Sequence, residues 1–233
     1  MATNALKIIA IIDGDHLVHR AEWKNSFKDS KVKIDLIIQD IIDSVFADDY
    51  LLAIKGDDNF RKEIFPDYKG HRNRSLELDH RIEALLQYMV DKYGAVRSHG
   101  WEADDQCHQW HRALSEDKSI IPVICSVDKD LYTIPGIHYN IREDRILHID
   151  ASEADYYLHL QLLMGDATDR IQGVPGIGPI KAKRILDKIP YGARTARVKE
   201  EYKKYYGDSW EEEFQLTGNL VYIRHQQDKG FDL

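Results

Sequence analysis

The sequence predicts an α/β fold built on a mostly parallel sheet. Three apolar runs each end in an acid: Lys7 to Asp13 (KIIAIID), Tyr50 to Asp57 (YLLAIKGD) and Ser119 to Asp128 (SIIPVICSVD). Continuous runs of this length are expected of strands covered on both faces, as in a parallel sheet. Between the runs, apolar residues recur at helical spacing. Ile34, Ile37, Ile38, Ile41, Ile42 and Val45 mark one helix, and Ile82, Leu85, Leu86, Met89 and Val90 mark another. Strand alternating with helix is the pattern of βαβ units.

Taken in order, the first 150 residues read as the α/β domain. After Asp150 the apolar runs become short and helical: Tyr156 to Met164, Ile180 to Ile189, Val198 to Tyr206, and a last helix over Trp210 to Gln227 weakened by Gly218. Residues 151–233 are therefore expected to form a helical region packed beside the sheet.

Composition bounds the class. The chain has 233 residues, 43% hydrophobic and 31% charged, which describes a globular domain with a sizeable core. No run of about 18 apolar residues exists to cross a bilayer. Met1 to Lys7 lacks the features of a signal peptide, so a cytoplasmic protein without membrane contact is expected. Cys107 and Cys125, the two cysteines, stand in no zinc or disulfide pattern.

Net charge is -8, which alone argues against a polyanionic partner. Its distribution argues the other way. From Arg170 to Lys199, eight cations face Asp187 alone, a local +7 that leaves -15 for the rest of the chain.

The acids at predicted strand ends and helix starts are Asp13, Asp57, Glu102, Asp104, Asp105, Asp128, Asp130, Asp166 and Asp169. The C-terminal ends of parallel strands converge on one crevice. Each acid alone is an ordinary cap or turn residue, but clustered carboxylates repel one another unless a cation compensates them. Hard divalent ions such as Mg²⁺ or Mn²⁺ take such oxygen ligands together with a substrate phosphate, and a pair of them serves in-line phosphoryl displacement.

Gly173-Val174-Pro175-Gly176-Ile177-Gly178-Pro179-Ile180-Lys181 forms a tight turn opening a helix that carries Lys181, Lys183 and Arg184. It lacks the Gly-Lys-Ser/Thr ending of a nucleotide-binding P-loop. Glycines admit backbone N–H groups to a phosphate, and the helix start adds its dipole. The pattern is a helix-hairpin-helix, at about 165–190, that grips nucleic-acid backbone without reading bases. A second basic stretch, Phe60 to Arg74, interleaves cations with Phe65 and Tyr68, where bases could stack.

The segments IIDGDHLVHR, GDDNFRKEIFPDYKGHR, WEADD, CSVDKDLYTI and LLMGDATDRIQGVPGIGPIKAKRIL, in this order between residues 8 and 186, resemble the 5′ nucleases: flap endonucleases and 5′-3′ exonucleases of bacterial and bacteriophage type. The resemblance implies a PIN-like α/β core, a helical arch at about 58–92, and two divalent metals held by the nine acids. It implies that Lys69 and Arg72 engage the scissile phosphate, Tyr68 stacks on a base, and Arg20 contacts phosphate. Gly173, Gly176 and Gly178 would hold duplex DNA, with a K⁺ ion on loop carbonyls. The implied partners are 5′ flaps, 5′-ended duplexes and RNA-primed DNA, acted on by a free-standing monomer in primer removal or repair. His16 departs from the family, which usually has Asn there.

Two other readings fit part of the pattern. Asp13-Gly14-Asp15 with Gly165-Asp166-Ala167-Thr168-Asp169 is similar to the nucleophile and metal motifs of haloacid-dehalogenase-like phosphatases, in which Asp13 would attack phosphorus. A non-catalytic DNA-binding module would use the hairpin alone and leave the gathered acids unexplained.

Overall fold

The computed structural model describes residues 5–22, 26–70, 75–227 and 229–232. In chain order the elements are β1 (Lys7–Asp13), α1 (Asp15–Glu22), α2 (Phe27–Val45), β2 (Asp49–Ile54), α3 (Phe60–Ile64), α4 (Leu76–Tyr93), β3 (Val96–Arg97), α5 (Ala103–Ser115), β4 (Ile120–Ser126), β5 (Gly136–Asn140), β6 (Arg145–Ile149), α6 (Ala151–Met164), β7 (Gly165–Asp166), β8 (Ile171–Gln172), α7 (Pro179–Leu186), α8 (Arg194–Tyr206) and α9 (Trp210–Val221). They form two compact units.

The first unit takes the described residues within 1–59, 73–131 and 136–148. Its sheet runs β3-β2-β1-β4-β5-β6 among the described residues, and β1 pairs in parallel with both β2 and β4. The three apolar runs of the sequence are thus the three central strands. Successive side chains of a strand point to opposite faces. Ala10, Ile12, Leu52 and Ile54 accordingly pack with Leu17, Ile34, Ile38, Ile41, Leu85 and Met89 in one core cluster. Ile9, Ile11, Ala53 and Ile124, also buried, fall outside that cluster, and α5 packs against β1, β2 and β4. Helix α2 begins at Ser26, whose Oγ accepts the Asp29 N–H, and ends at Phe46 in the left-handed conformation. Ser75 caps α4 in the same way, and Gly94 closes it.

The short β3 and the pair β5 and β6 extend the sheet beyond what the apolar runs indicate. Two residues in β3 leave no periodicity to detect, and Gly136–Asn140 (GIHYN) buries His138 and Asn140 where an apolar pattern would be expected.

The second unit takes the described residues within 60–72, 132–135 and 149–233. The expected arch segment is therefore divided between the units, because Phe60–Ile64 packs on α9 and Tyr68 joins the second core. That core collects Leu162, Leu163, Ile171, Leu186, Tyr202 and Phe214. Helix α6 opens on a capping box: Asp150 accepts the Ser152 and Glu153 N–H groups, and Glu153 accepts that of Asp150. Helix α9 stops at Val221, short of the expected Gln227, and the chain leaves it in an extended conformation at Tyr222. Among the described residues no helix is long and apolar enough to cross a membrane. Both cysteines are buried and free.

Leu85 is fully buried in the first core. Leu85→Ala is expected to lower unfolding stability by about 2–5 kcal/mol, read as a shift in denaturant midpoint at unchanged slope.

Candidate active site

The C-terminal end of β1 sets the first unit's site. Gly14 follows Asp13 and donates its N–H to Ala53 O at 2.7 Å. A Cβ there would stand 2.7 Å from that same oxygen, so only glycine lets the chain turn from β1 into α1 against β2. The turn brings Asp13, Asp15 and His16 to the strand end together.

Asp13 is 1% exposed. Its Oδ2 accepts from Ser126 Oγ at 2.8 Å, and its Oδ1 accepts the Asp15 N–H at 3.3 Å. Ser126 Oγ in turn accepts the Asp128 N–H at 2.9 Å, and Asp128 Oδ1 accepts the Asp130 N–H at 2.9 Å. The end of β4 is thereby laced to the end of β1. Between the two carboxylates lies His16, with Nε2 3.4 Å from Asp13 Oδ2 and 3.3 Å from Asp128 Oδ2.

Electrostatics follow from this packing. Burial raises the Asp13 carboxyl above its ordinary value, opposed by His16 and Ser126. Burial and then the Asp13 charge push Asp15 up to about 6, against the Lys55 N–H that Asp15 Oδ1 accepts at 2.9 Å. Burial alone would depress His16, but the Asp128 bond and the Asp13 charge outweigh it and carry the imidazole up to about 9. His16 is thus a cation at neutral pH and the internal counter-ion of the cluster.

Glu102 N-caps α5, and its N–H is accepted by Asp105 Oδ2 at 3.0 Å. Asp105 is fully buried, so this carboxylate acts as a cap for its own helix. Glu102 also contributes to raising Asp15, and Asp104 to raising Cys107. Asp57 lies on an exposed bend beyond β2. Among the described residues no three His, Cys, Asp or Glu side chains stand in the arrangement of a metal ligand shell. The structure thus joins Asp13, Asp128 and Asp130 through hydrogen bonds and His16, and sets Glu102 and Asp15 within electrostatic reach of each other. Arg20 is exposed and donates to Ile141 O at 3.3 Å.

In the second unit, Asp166 ends β7 and Asp169 lies in the turn between β7 and β8. Asp166 Oδ1 accepts the Thr168 N–H at 2.7 Å, and Asp169 is 9% exposed. Lys69 binds Asp169 twice: its N–H to Asp169 O at 3.2 Å, its Nζ to Oδ2 at 3.5 Å. One correction concerns Tyr68. It was expected to stack on a base, but it is 4% exposed and packed in the second core, so its ring offers no open face. Phe65 and Pro66 beside it carry the same aromatic and apolar signal, which periodicity does not sort into inside and outside over so short a stretch. Arg72 lies outside the described residues.

The hairpin is anchored by its apolar residues. Val174 and Ile177 are buried, and the Val174 N–H bonds Leu163 O at 2.9 Å. Gly176 takes the left-handed conformation (φ +78°), and Gly178 N-caps α7 ahead of Pro179. Gly176 and Gly178 are exposed, as are Lys181, Lys183 and Arg184, whereas Gly173 is buried.

The residues that the sequence reading missed are Ser126 and the counter-ion role of His16. A serine at a strand end carries no signal of its own, and His16 was visible only as an unusual neighbour of two acids.

Three comparisons agree with one another. The family model described as 5′-3′ exonuclease, N-terminal resolvase-like domain matches residues 8–156. The chain is 26% identical over 199 residues to a 5′-3′ exonuclease of Mycoplasmopsis pulmonis, covering 77% of this chain and 66% of that one. It is 27% identical over 203 residues to the flap endonuclease of Escherichia phage T5, covering 76% and 69%. The chain thus spans about two thirds of the length of these curated relatives. A phage T5 protein co-crystallised with metal ions shares the fold, with a TM-score of 0.70 at 21% identity over 91% of this chain and 88% of that one.

A carboxyl whose folded pKa is raised costs stability above that pKa and none below its unfolded value. Asp15→Asn, which keeps an oxygen for the Lys55 N–H, is therefore expected to stabilise the metal-free protein by about 1–3 kcal/mol at pH 7.5. The gain should vanish as pH falls through 6 toward 4, measured as thermal melts in chelator across that range.

Proposed function

The chain belongs to the 5′-3′ exonuclease family, and from that premise we propose that it is a divalent-metal-dependent 5′ nuclease hydrolysing phosphodiesters in 5′-flap and 5′-ended DNA. The observation that carries the proposal is the carboxylate pair at the ends of adjacent parallel strands, buried Asp13 and half-buried Asp128, bridged by His16. Hard oxygen donors suit Mg²⁺ or Mn²⁺, and because burial penalises the charged form of Asp13, a bound cation would favour its ionised form.

In this reading Asp13 and Asp128, with Asp130, Glu102 and Asp104, hold metal on the first unit. Asp57, Asp105, Asp166 and Asp169 are assigned to the same two-ion role on the family resemblance alone. A bound divalent ion supplies Lewis acidity toward phosphate oxygens and acidifies water. The chain's own residues do the remainder. Lys69, with Arg72, offsets charge developing on the scissile phosphate. Arg20 meets a neighbouring phosphate. Backbone N–H groups at Gly176 and Gly178, with Lys181, Lys183 and Arg184, hold the duplex backbone, and the loop carbonyls would take a K⁺ ion. The biological task is primer removal, RNA-primed DNA included, or repair, performed as a monomer. The phosphatase and binding-module readings find no support in the family match.

The test uses end-labelled 5′-flap DNA and, separately, a small phosphomonoester. Cleavage of the flap in Mg²⁺ and none in EDTA is expected; turnover of the small ester alone would overturn the reading. Asp128→Ala is expected to lower the cleavage rate at least about 10³-fold while DNA affinity stays within twofold. Lys181→Ala should weaken duplex binding, with a log–log salt slope shallower by about 1. A salt series with unchanged slope would remove Lys181 from the interface.

A further inference from the structure

Helix α9 makes hydrogen bonds to two parts of the second unit that the proposed function needs held in register. At its C-terminal end the carbonyls have no helical partner. Arg61, 2% exposed, fills that need: Nε donates to Leu220 O and Nη2 to Tyr222 O, both at 2.9 Å. Arg61 stands eight residues before Lys69 on the same segment. One turn back along α9, Thr217 Oγ1 donates to Gln172 O at 2.9 Å, and Tyr206 OH of α8 donates to Gly173 O at 2.8 Å. Gln172 and Gly173 join the acid turn to the hairpin.

The segment after α9 locks the helix in place. Phe231 packs on Phe214 and Tyr222, and its N–H bonds Asn219 Oδ1 at 3.1 Å. Its ring lies over Gly218, where a Cβ would meet it at 2.0 Å. Arg224 stacks on Phe60, with Cζ 3.4 Å from the ring centroid. The glycine that weakens α9 as a helix is thus the seat for Phe231.

We propose that α9 is the ruler of the nuclease, setting which phosphodiester is cut relative to where the hairpin grips, with Arg61 and Thr217 as its positioning residues. Arg61 fixes the base of the Lys69 segment, Thr217 fixes the chain entering the hairpin, and the two contacts sit about one turn apart on the same helix. The inference rests on the nuclease reading above. A misplacement of 1 Å costs up to about 10²-fold in rate, so loosening either contact should both slow cleavage and blur its position.

The experiment cuts an end-labelled 5′-flap substrate in Mg²⁺ with wild type, Arg61→Met, Arg61→Lys and Thr217→Val, and resolves products to single nucleotides. Thr217→Val is isosteric and removes only the hydroxyl that bonds Gln172 O and Tyr202, so it reports even where an Arg61 variant folds poorly; thermal melts accompany each protein. Expected for Thr217→Val and Arg61→Met is a rise in products cut at neighbouring phosphodiesters of on the order of fivefold, with kcat at the main position reduced more than KM is raised. Arg61→Lys, which keeps the charge but has one donor nitrogen in place of the two used by Arg61, should fall between wild type and Arg61→Met. A wild type that cuts while Thr217→Val and the folded Arg61 variants cut at the same position, with any loss tracking melting temperature, overturns the inference alone. A wild type that cuts neither flap nor 5′-ended DNA sinks the nuclease reading and this inference with it.

Discussion

Buried negative charge at the end of β1 is the constraint around which the first unit is arranged. Asp13 is enclosed at the junction of β1, β4 and α1, where an ionised carboxylate is costly unless it is bonded and paired. Ser126, the Asp15 N–H and His16 supply those partners. Each comes from a residue that the strand order places at the same edge: Ser126 ends β4, and Asp15 and His16 begin α1. Parallel pairing of β1 with β4 is therefore a prerequisite for the site as well as a feature of the fold.

The second unit handles its acids by the same device. Asp169 is nearly enclosed, and Lys69 approaches it with both backbone and side chain. In each unit a basic side chain lies against the carboxylates, His16 in one and Lys69 in the other.

Much of this was legible in the sequence because it rests on residues with few alternatives. Isoleucine-rich runs ending in acids have one comfortable place, the centre of a parallel sheet, and the pairing of β2, β1 and β4 is the outcome. The hairpin was legible for a related reason: Gly176 takes a backbone conformation that side chains resist, while Val174 and Ile177 fill the core beneath it. What escaped depends on partners distant in sequence. Tyr68 is inside because the second core has room for it, and its own neighbours, basic and aromatic, suggest the reverse. Asp105 and Asp104 are adjacent and chemically alike, yet one caps its helix from within and the other remains partly exposed. Gly218 read as a weakness in a helix, when its lack of a side chain is what Phe231 requires.

The adjacency of acids and a basic hairpin over residues 165–184 has a mechanical basis in the β7 and β8 pair. Gly165 and Gly173 approach so closely that a Cβ on Gly165 would meet Ile171 O at 2.2 Å, and one on Gly173 would meet Gly165 N at 2.3 Å. The antiparallel pairing of Gly165 with Gln172 and of Asp166 with Ile171 closes the acid turn on itself. The Val174 N–H then ties the hairpin to the end of α6. Asp166 and Asp169 thus sit at a turn closed by its own strand pair, and the exposed lysines of α7 follow beyond the hairpin. Under the proposed nuclease reading, this strand pair would let one short segment carry acids for metal at one end and cations for phosphate at the other.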